Sequence, residues 1–267
     1  MKKKTLRMRR LGWAGVEIEC DGEILLIDYI QDTSPLVQLR SQQEPFPAMS
    51  RLGEAKVALI THLHADHADP MAVFAALGEG GKTYRPKKAS GTDADLALTA
   101  HAESEFEKYE LDAEILEEWQ ERTVGPFRFT ALPSADGFGD PQIAWAVECN
   151  GFKIFHGGDT IFHGNFWRIA NHFGPFDIAF LPINGAVVDF PLLQPPSAIE
   201  AVMTPEQAGT AGHILKAKYI VPIHYASLHK PPMYIEASGS TLRLYEQTTA
   251  LGIISSIYQP GEWFQID

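Results

Sequence analysis

The chain has 267 residues, 45% of them hydrophobic and 21% charged, with a net charge of −12 at neutral pH. That is long enough for one large domain with a substantial core, and the composition is too balanced for a disordered chain. A surface this acidic repels phosphate backbones, which argues against extended nucleic-acid binding, and no apolar run is long enough to span a membrane.

The first ten residues are basic, but residues 11–20 alternate apolar with polar and carry Glu17 and Glu19. That pattern is a strand, not the apolar heart of an export signal. Cys20 and Cys149 stand alone in the sequence, which makes neither a disulfide framework nor a cysteine-rich zinc site; a cytoplasmic location is expected. Residues 16–20 and 23–28 flank Asp21-Gly22 and predict a hairpin. Residues 55–61 (AKVALIT) form a short apolar run of buried-strand type, and Pro70 opens a short helix through MAVFAAL. Residues 77–125 read as a helical insertion within a single domain spanning 1–267. Residues 94–120 are expected to be mostly helical, with strand fragments near 82–85. Strands are expected at 127–132, 143–148 and 152–155, the last two joined by Asn150-Gly151. A helix at 166–172 and a buried strand at 176–182 follow. Thr204, Pro205 and Gln207 make a capping box with proline at the first helical position, starting a helix that runs to about Lys216. A strand at 219–223, a helix at 241–250 and strands at 253–257 and 263–266 complete the chain. Hairpins first and strand–helix alternation later suggest sheets covered by helices, not a doubly wound sheet.

The chemistry concentrates in residues 61–67 (THLHADH), where His62, His64, Asp66 and His67 fall within six positions. Imidazole nitrogen and carboxylate oxygen suit zinc, manganese or iron. At a strand end, the spacing of His62 and His64 puts both on one side of the backbone, and the following loop can return Asp66 and His67 toward a second ion. Far along the chain, FHGGDT places Asp159 just past a strand behind two glycines, and PIHY places His224 at another strand end. LPING, residues 181–185, ends a further strand in the same way. A capping aspartate and a surface histidine are the competing readings of Asp159 and His224, weakened by their shared position at strand ends.

H-x-H-x-D-H, then G-D-T, then a late P-I-H-Y resembles the metallo-β-lactamase superfamily, and within it the branch that includes ascorbate-6-phosphate lactonases. The opening from Gly12 to Asp28, L-P-I-N-G, and residues 203–208 (MTPEQA) add to the likeness, which covers nearly the whole chain and is weakest at 77–125. The resemblance implies an α/β fold of the αββα sandwich type with the site at one edge. It implies His62 and His64 on one ion, Asp66, His67 and His224 on the other, and Asp159 bridging. The family usually supplies one more histidine in the stretch corresponding to Leu132 to Gly137, where this chain has Asp136. Either Asp136 replaces it as a ligand, hardening the site toward manganese or iron, or Asp136-Gly137 is an ordinary turn and the first ion has one ligand fewer.

Two divalent ions, zinc first, would lower the pKa of a shared water enough to supply hydroxide at neutral pH, and Asp66 is the carboxylate best placed to orient that water. His156, His163, Tyr225, His229 and Lys230 are candidates for the pocket rim, with ordinary packing as the competing reading. Asp28 is expected to support the ligand loop from behind. The expected activity is hydrolysis of a small ester, lactone or phosphoester, with no nucleic-acid or membrane partner. A di-iron redox or ligand-sensing protein, or a nuclease-type phosphodiesterase, is the alternative.

Overall fold

The computed structural model describes residues 6–41 and 44–266. The basic start up to Thr5 therefore lies outside the described residues. Its continuation is a strand that the basic composition had masked, β1 (Leu6–Arg10), which pairs antiparallel with β2 (Val16–Cys20). β2 turns into β3 (Glu23–Ile27) through Asp21 and Gly22, whose φ values of 53° and 91° give the left-handed tight turn that matches strand twist. β4 (Ala55–Leu59) lies parallel to β3 and leads into the histidine segment. Asp69 caps α1 (Pro70–Ala76), its side chain accepting from the Ala72 N–H.

The segment expected as a helical insertion is built into the sheet instead. Leu77–Arg85 is strand β5, parallel to β4, and only α2 (Asp93–Leu96) and α3 (Ala100–Lys108) are helical. β6 (Ala113–Ile115) then closes a six-stranded sheet in the order β1-β2-β3-β4-β5-β6. Three glycines (Gly78, Gly80 and Gly81) hide the first half of this strand from propensity reasoning, ahead of the fragment expected near 82–85. A Cβ at Gly78 or Gly81 would come within 3.0 Å of the Gly53 or Ala55 carbonyl oxygen, so the close backbone approach decides the residue type.

The second sheet holds β7 (Glu121–Val124), β8 (Phe127–Pro133), β9 (Ile143–Cys149) and β10 (Phe152–His156) in antiparallel sequence. After α4 (Asn165–Phe173), β11 (Ile178–Pro182) adds parallel to β10. A short β12 (Val187–Val188) precedes α5 (Pro205–Ile214), whose Thr204–Gln207 capping box is formed as expected. β13 (Tyr219–Ile223) joins parallel to β11, β14 (Tyr234–Ile235) pairs with β12, and α6 (Ser240–Leu251) leads to β15 (Ile254–Ser255). The seven-stranded order is β15-β13-β11-β10-β9-β8-β7. The last expected strand, 263–266, reduces to a single bridge from Phe264 to Met8.

Burial assigns the layers. Leu25 and Ile27 of β3 meet Phe129, Trp145 and Phe180 in the core between the sheets, while Ile24 and Leu26 on the opposite face pack against Ala72 and Ala76 of α1. Phe155 and Leu181 point the other way, onto Phe166, Ala208, Ala211 and Leu244 of the helices on the far side. The central strands are buried on both faces, so β3, β11 and β13 read as near-continuous apolar runs. The result is an αββα sandwich. Cys20 and Cys149, isolated in sequence, end β2 and β9 as buried thiols not joined in a disulfide and meet there, the Cys20 contact and burial together holding the Cys149 thiol up.

Candidate metal centre

β4, β8, β10 and β13 end at one edge of the sandwich, and each hands the chain to a segment carrying side chains that converge there. His62 and His64 follow β4, Asp136 follows β8, Asp159 follows β10, and His224 follows β13. Two groups of possible ligand atoms result, each within 4.8 Å: His62, His64, Asp136 and Asp159, and Asp66, His67, Asp159 and His224. Asp159 belongs to both.

A hydrogen-bond network behind the cluster sets the orientation of each imidazole. Asp28, buried with φ of 47°, accepts from the Thr61 N–H (2.8 Å), the Thr61 hydroxyl (2.7 Å) and His67 Nδ1–H (2.8 Å). The Thr61 hydroxyl proton is thereby used, so His62 Nδ1–H donates to Thr61 Oγ1 at 3.1 Å. His64 donates from its other nitrogen, Nε2, to Asp140 Oδ2 at 2.8 Å. The lone pairs left over are His62 Nε2, His67 Nε2 and His64 Nδ1, and all three face the cluster. Gly158 lets this happen: at φ of 63°, a Cβ there would sit 2.8 Å from the Thr61 side chain.

The two readings of Asp136 turn out to be compatible. Its Oδ2 closes a turn by accepting from the Phe138 N–H (2.8 Å) and the Asp140 N–H (3.0 Å). Its Oδ1 is buried without a hydrogen bond and lies 4.0 Å from His64 Nδ1.

His62 Nε2, His67 Nε2, His224 Nε2 and Asp159 Oδ1 are likewise buried with no hydrogen-bond partner. Buried polar atoms are seldom left this way, because each forfeits its solvation without return. The facing N···O separations are 3.4 Å (His224 to Asp66), 3.5 Å (His224 to Asp159), 3.6 Å (His67 to Asp66) and 4.0 Å (His62 to Asp159). They are long for hydrogen bonds and suit donors sharing a tetrahedral ion, for which ligand distances of roughly 2.0–2.2 Å place donors about 3.4 Å apart. The donor set fits divalent metal.

Charge makes the same point. Burial drives the Asp159 carboxyl well above the usual carboxylate range, and Asp66, Asp136 and Asp28 push it in the same direction. Burial also holds the His62 imidazole well below its ordinary range and brings His224 down to about 4. For Asp66, burial would raise the carboxyl, but His67 and His224 hold it well below. Neutral imidazoles at His62 and His224 and a crowded carboxylate at Asp159 suit a cation.

Residues 25–225 match the model of a family described as a beta-lactamase superfamily domain. The chain belongs to the metallo-β-lactamase superfamily. A UPF0173 metal-dependent hydrolase from Rubrobacter xylanophilus is 24% identical over 254 residues, covering 90% of this chain and 88% of that one. Igni18, a metallo hydrolase from the archaeon Ignicoccus hospitalis, has the same fold, with a TM-score of 0.66 at 18% identity over 98% of this chain and 99% of that one. CmlA, a diiron beta-hydroxylase from Streptomyces venezuelae, matches at a TM-score of 0.69 and 13% identity, covering 100% of this chain but 55% of CmlA.

Metallo-β-lactamase likeness did not point to several neighbours of the cluster. Trp13 Nε1–H donates to Asp66 Oδ2 at 3.0 Å, and the Trp13 ring lies against His224 with centroids 4.1 Å apart. Asp140, whose only sequence signal is a Gly-Asp-Pro turn, holds His64. Tyr234 lines the cavity above the cluster, its hydroxyl accepting from Asn184 Nδ2 at 2.7 Å. None of the five rim candidates lines that cavity. His156 is buried and bonds the Ala14 carbonyl (2.9 Å), and His163 stacks on Phe166. The Tyr225 hydroxyl accepts from Arg10, His229 Nδ1 accepts from the Glu236 N–H, and Lys230 pairs its backbone with Tyr234. Each is occupied by packing that only the fold brings together.

Proposed function

We propose that this chain, a metal-dependent hydrolase of the metallo-β-lactamase fold, uses two divalent ions to cleave a small ester, lactone or phosphoester. His62, His64 and Asp136 would hold one ion, Asp66, His67 and His224 the other, with Asp159 between them. Zinc is the first choice, and the three carboxylates among the donors leave manganese and iron as competitors. Such a pair, when bound, would supply hydroxide at neutral pH and polarise a carbonyl or phosphoryl oxygen.

The chain's own residues position the reaction. Asp66 Oδ2, which faces His67 and His224, also accepts from Trp13 and is thereby fixed, which places Asp66 to orient a water. The Tyr234 hydroxyl accepts from Asn184, so its own proton is free to be donated into the cavity. Burial first, then Asp159 and Asp66, raise the Tyr234 phenol well above its ordinary range, so it remains a donor throughout neutral pH. A neutral donor beside the cluster suits a developing oxyanion.

The observation that carries this reading is the set of buried, unpartnered ligand atoms facing one another at the floor of a cavity. The acidic net charge and the small-molecule size of the cavity support a small substrate over a nucleic acid. Cys20 and Cys149, buried and not joined in a disulfide, support a cytoplasmic site of action. The carboxylate-rich donor set also admits a di-iron redox protein. Metal analysis, an absorbance spectrum and an ester panel separate the two. Stoichiometric zinc or manganese, with hydrolysis lost to chelator and restored by metal, is expected; an iron-loaded, coloured protein inert toward every ester and lactone refutes the hydrolase.

A further inference from the structure

The cavity above the metal centre encloses about 460 Å³, within the range of small-molecule sites. Its walls beyond the donors are Leu36, Leu39, Leu98, Phe138, Phe190 and Leu228. Rings continue from His64 through Phe138 and Phe190 to Tyr234, with successive centroids 5.7, 5.9 and 6.4 Å apart. This aromatic row lines the cavity. Apart from the donors, His101 and Tyr234 are the titratable groups on the lining, and no described Lys or Arg reaches it.

A neighbouring cavity of about 620 Å³ shares Leu98, Phe138 and Leu192 with the first and does carry Lys87 and Lys88. Asp95, Glu118 and Asp140 line it too, and Lys88 is 3.2 Å from Glu103. Three carboxylates against two ammoniums leave no positive field to receive an anionic tail.

Resting on the hydrolase reading above, we propose that the substrate is an uncharged ester or lactone whose reacting carbonyl sits at the metal centre and whose body is an apolar acyl or alkyl group lying along Phe138, Phe190 and the leucines. A phosphate or carboxylate on that body would be desolvated against hydrocarbon with no cation to pair it. A phosphorylated sugar lactone, the substrate class of the branch this sequence resembles, lacks its clamp here. A chain of methylenes gains instead, each buried group strengthening binding by about three- to fourfold.

The test uses straight-chain hydroxamates, whose headgroup chelates metal, titrated calorimetrically into the metal-loaded protein from acetohydroxamate to octanohydroxamate, beside chains ending in a carboxylate. Affinity is expected to rise about three- to fourfold per methylene through the hexanoyl member, with the terminal carboxylate erasing the gain. Binding by no member overturns the metal-centre reading and this proposal together. Binding of acetohydroxamate with no gain along the series, or tighter binding of the carboxylate-ended chains, overturns the apolar-body proposal and leaves the metal centre standing. Leu98 is half-buried on the wall, so Leu98→Lys should fold, which an unchanged Tm verifies. It should flatten the chain-length gain by at least tenfold at hexanoyl and favour the carboxylate-ended series. An unchanged profile in folded Leu98→Lys also refutes the proposal.

Discussion

Asp140→Ala should weaken one metal site and spare the other. Asp140 reaches the cluster in two ways: its carboxylate accepts from His64 Nε2–H at 2.8 Å, and its backbone N–H donates to Asp136 Oδ2 at 3.0 Å. Alanine keeps the second contact and removes the first, leaving His64 free to rotate its Nδ1 away from the ion. Loss of an outer partner of this type costs about 10- to 100-fold in metal affinity, or about 1.4–2.7 kcal/mol. A second effect opposes it. Burial alone lowers the His64 pKa, but Asp140, Asp136 and Asp66 raise it overall, with the Asp140 hydrogen bond foremost among them. Without Asp140 the imidazole holds a proton less firmly, so protons compete less with the metal, and the net loss should lie nearer tenfold. The assay is competition of the apoprotein with a chromophoric chelator, which resolves two binding steps. One step should weaken about tenfold while the step belonging to Asp66, His67 and His224 holds within twofold. Equal weakening of both steps, or of neither, would refute the assignment of His64 Nδ1 and the role of Asp140.

Asp159→Ala, which removes the group common to both ligand sets, should strip metal from both sites as read by elemental analysis after dialysis; one site remaining stoichiometric would end its bridging role. Tyr234→Phe should retain full metal content and lower kcat about 100-fold with little change in KM, as for the loss of one oxyanion donor; an unchanged kcat would remove Tyr234 from the mechanism. Glu103 should show a pH signature in stability. Burial would raise its carboxyl, but the bond to buried Arg85 and the contact with Lys88 hold it below the ordinary range. A depressed carboxyl stabilises the fold above its unfolded pKa, about 4.3, and that contribution fades as pH falls through the folded value. Urea melts should thus find Glu103→Gln about 1 kcal/mol less stable at pH 7, after allowance for solvent screening, with the gap closing below pH 4; a gap that persists unchanged at pH 3 would exclude the charge as its cause.

Structure carried by adjacent residues is legible in the sequence, and structure carried by distant partners is not. The Asp-Gly and Asn-Gly turns and the Thr204 capping box are local, and local chemistry settled them: Asp21-Gly22 and Asn150-Gly151 both take positive φ, and Gln207 returns to Thr204. The second half of β5 is legible at 82–85, but its first half is not, because Gly78 and Gly81 answer to the carbonyls of Gly53 and Ala55; β1 is hidden because its arginines look solvated in a string of letters. In the fold, Arg9 lies against buried Glu17 and Arg10 against Tyr225, partners that no window of sequence displays.

The metal centre divides along the same line. His62, His64, Asp66 and His67 are legible because one loop supplies them at fixed spacing, and Asp159 and His224 because each follows an apolar strand. The sequence by itself singled out the residues proposed to hold metal and the fold that such residues accompany. Only the tertiary structure decided what each donor atom faces: that Asp136 divides its two oxygens between a turn and the cluster, that Asp28 and Asp140 set the tautomers from behind, and that the cavity above is walled largely by hydrocarbon and aromatic rings, with no described Lys or Arg on it. Those facts depend on contacts between segments far apart in the chain, and a hydrogen-bond partner or a cavity wall exists only once the strands that present it are packed side by side.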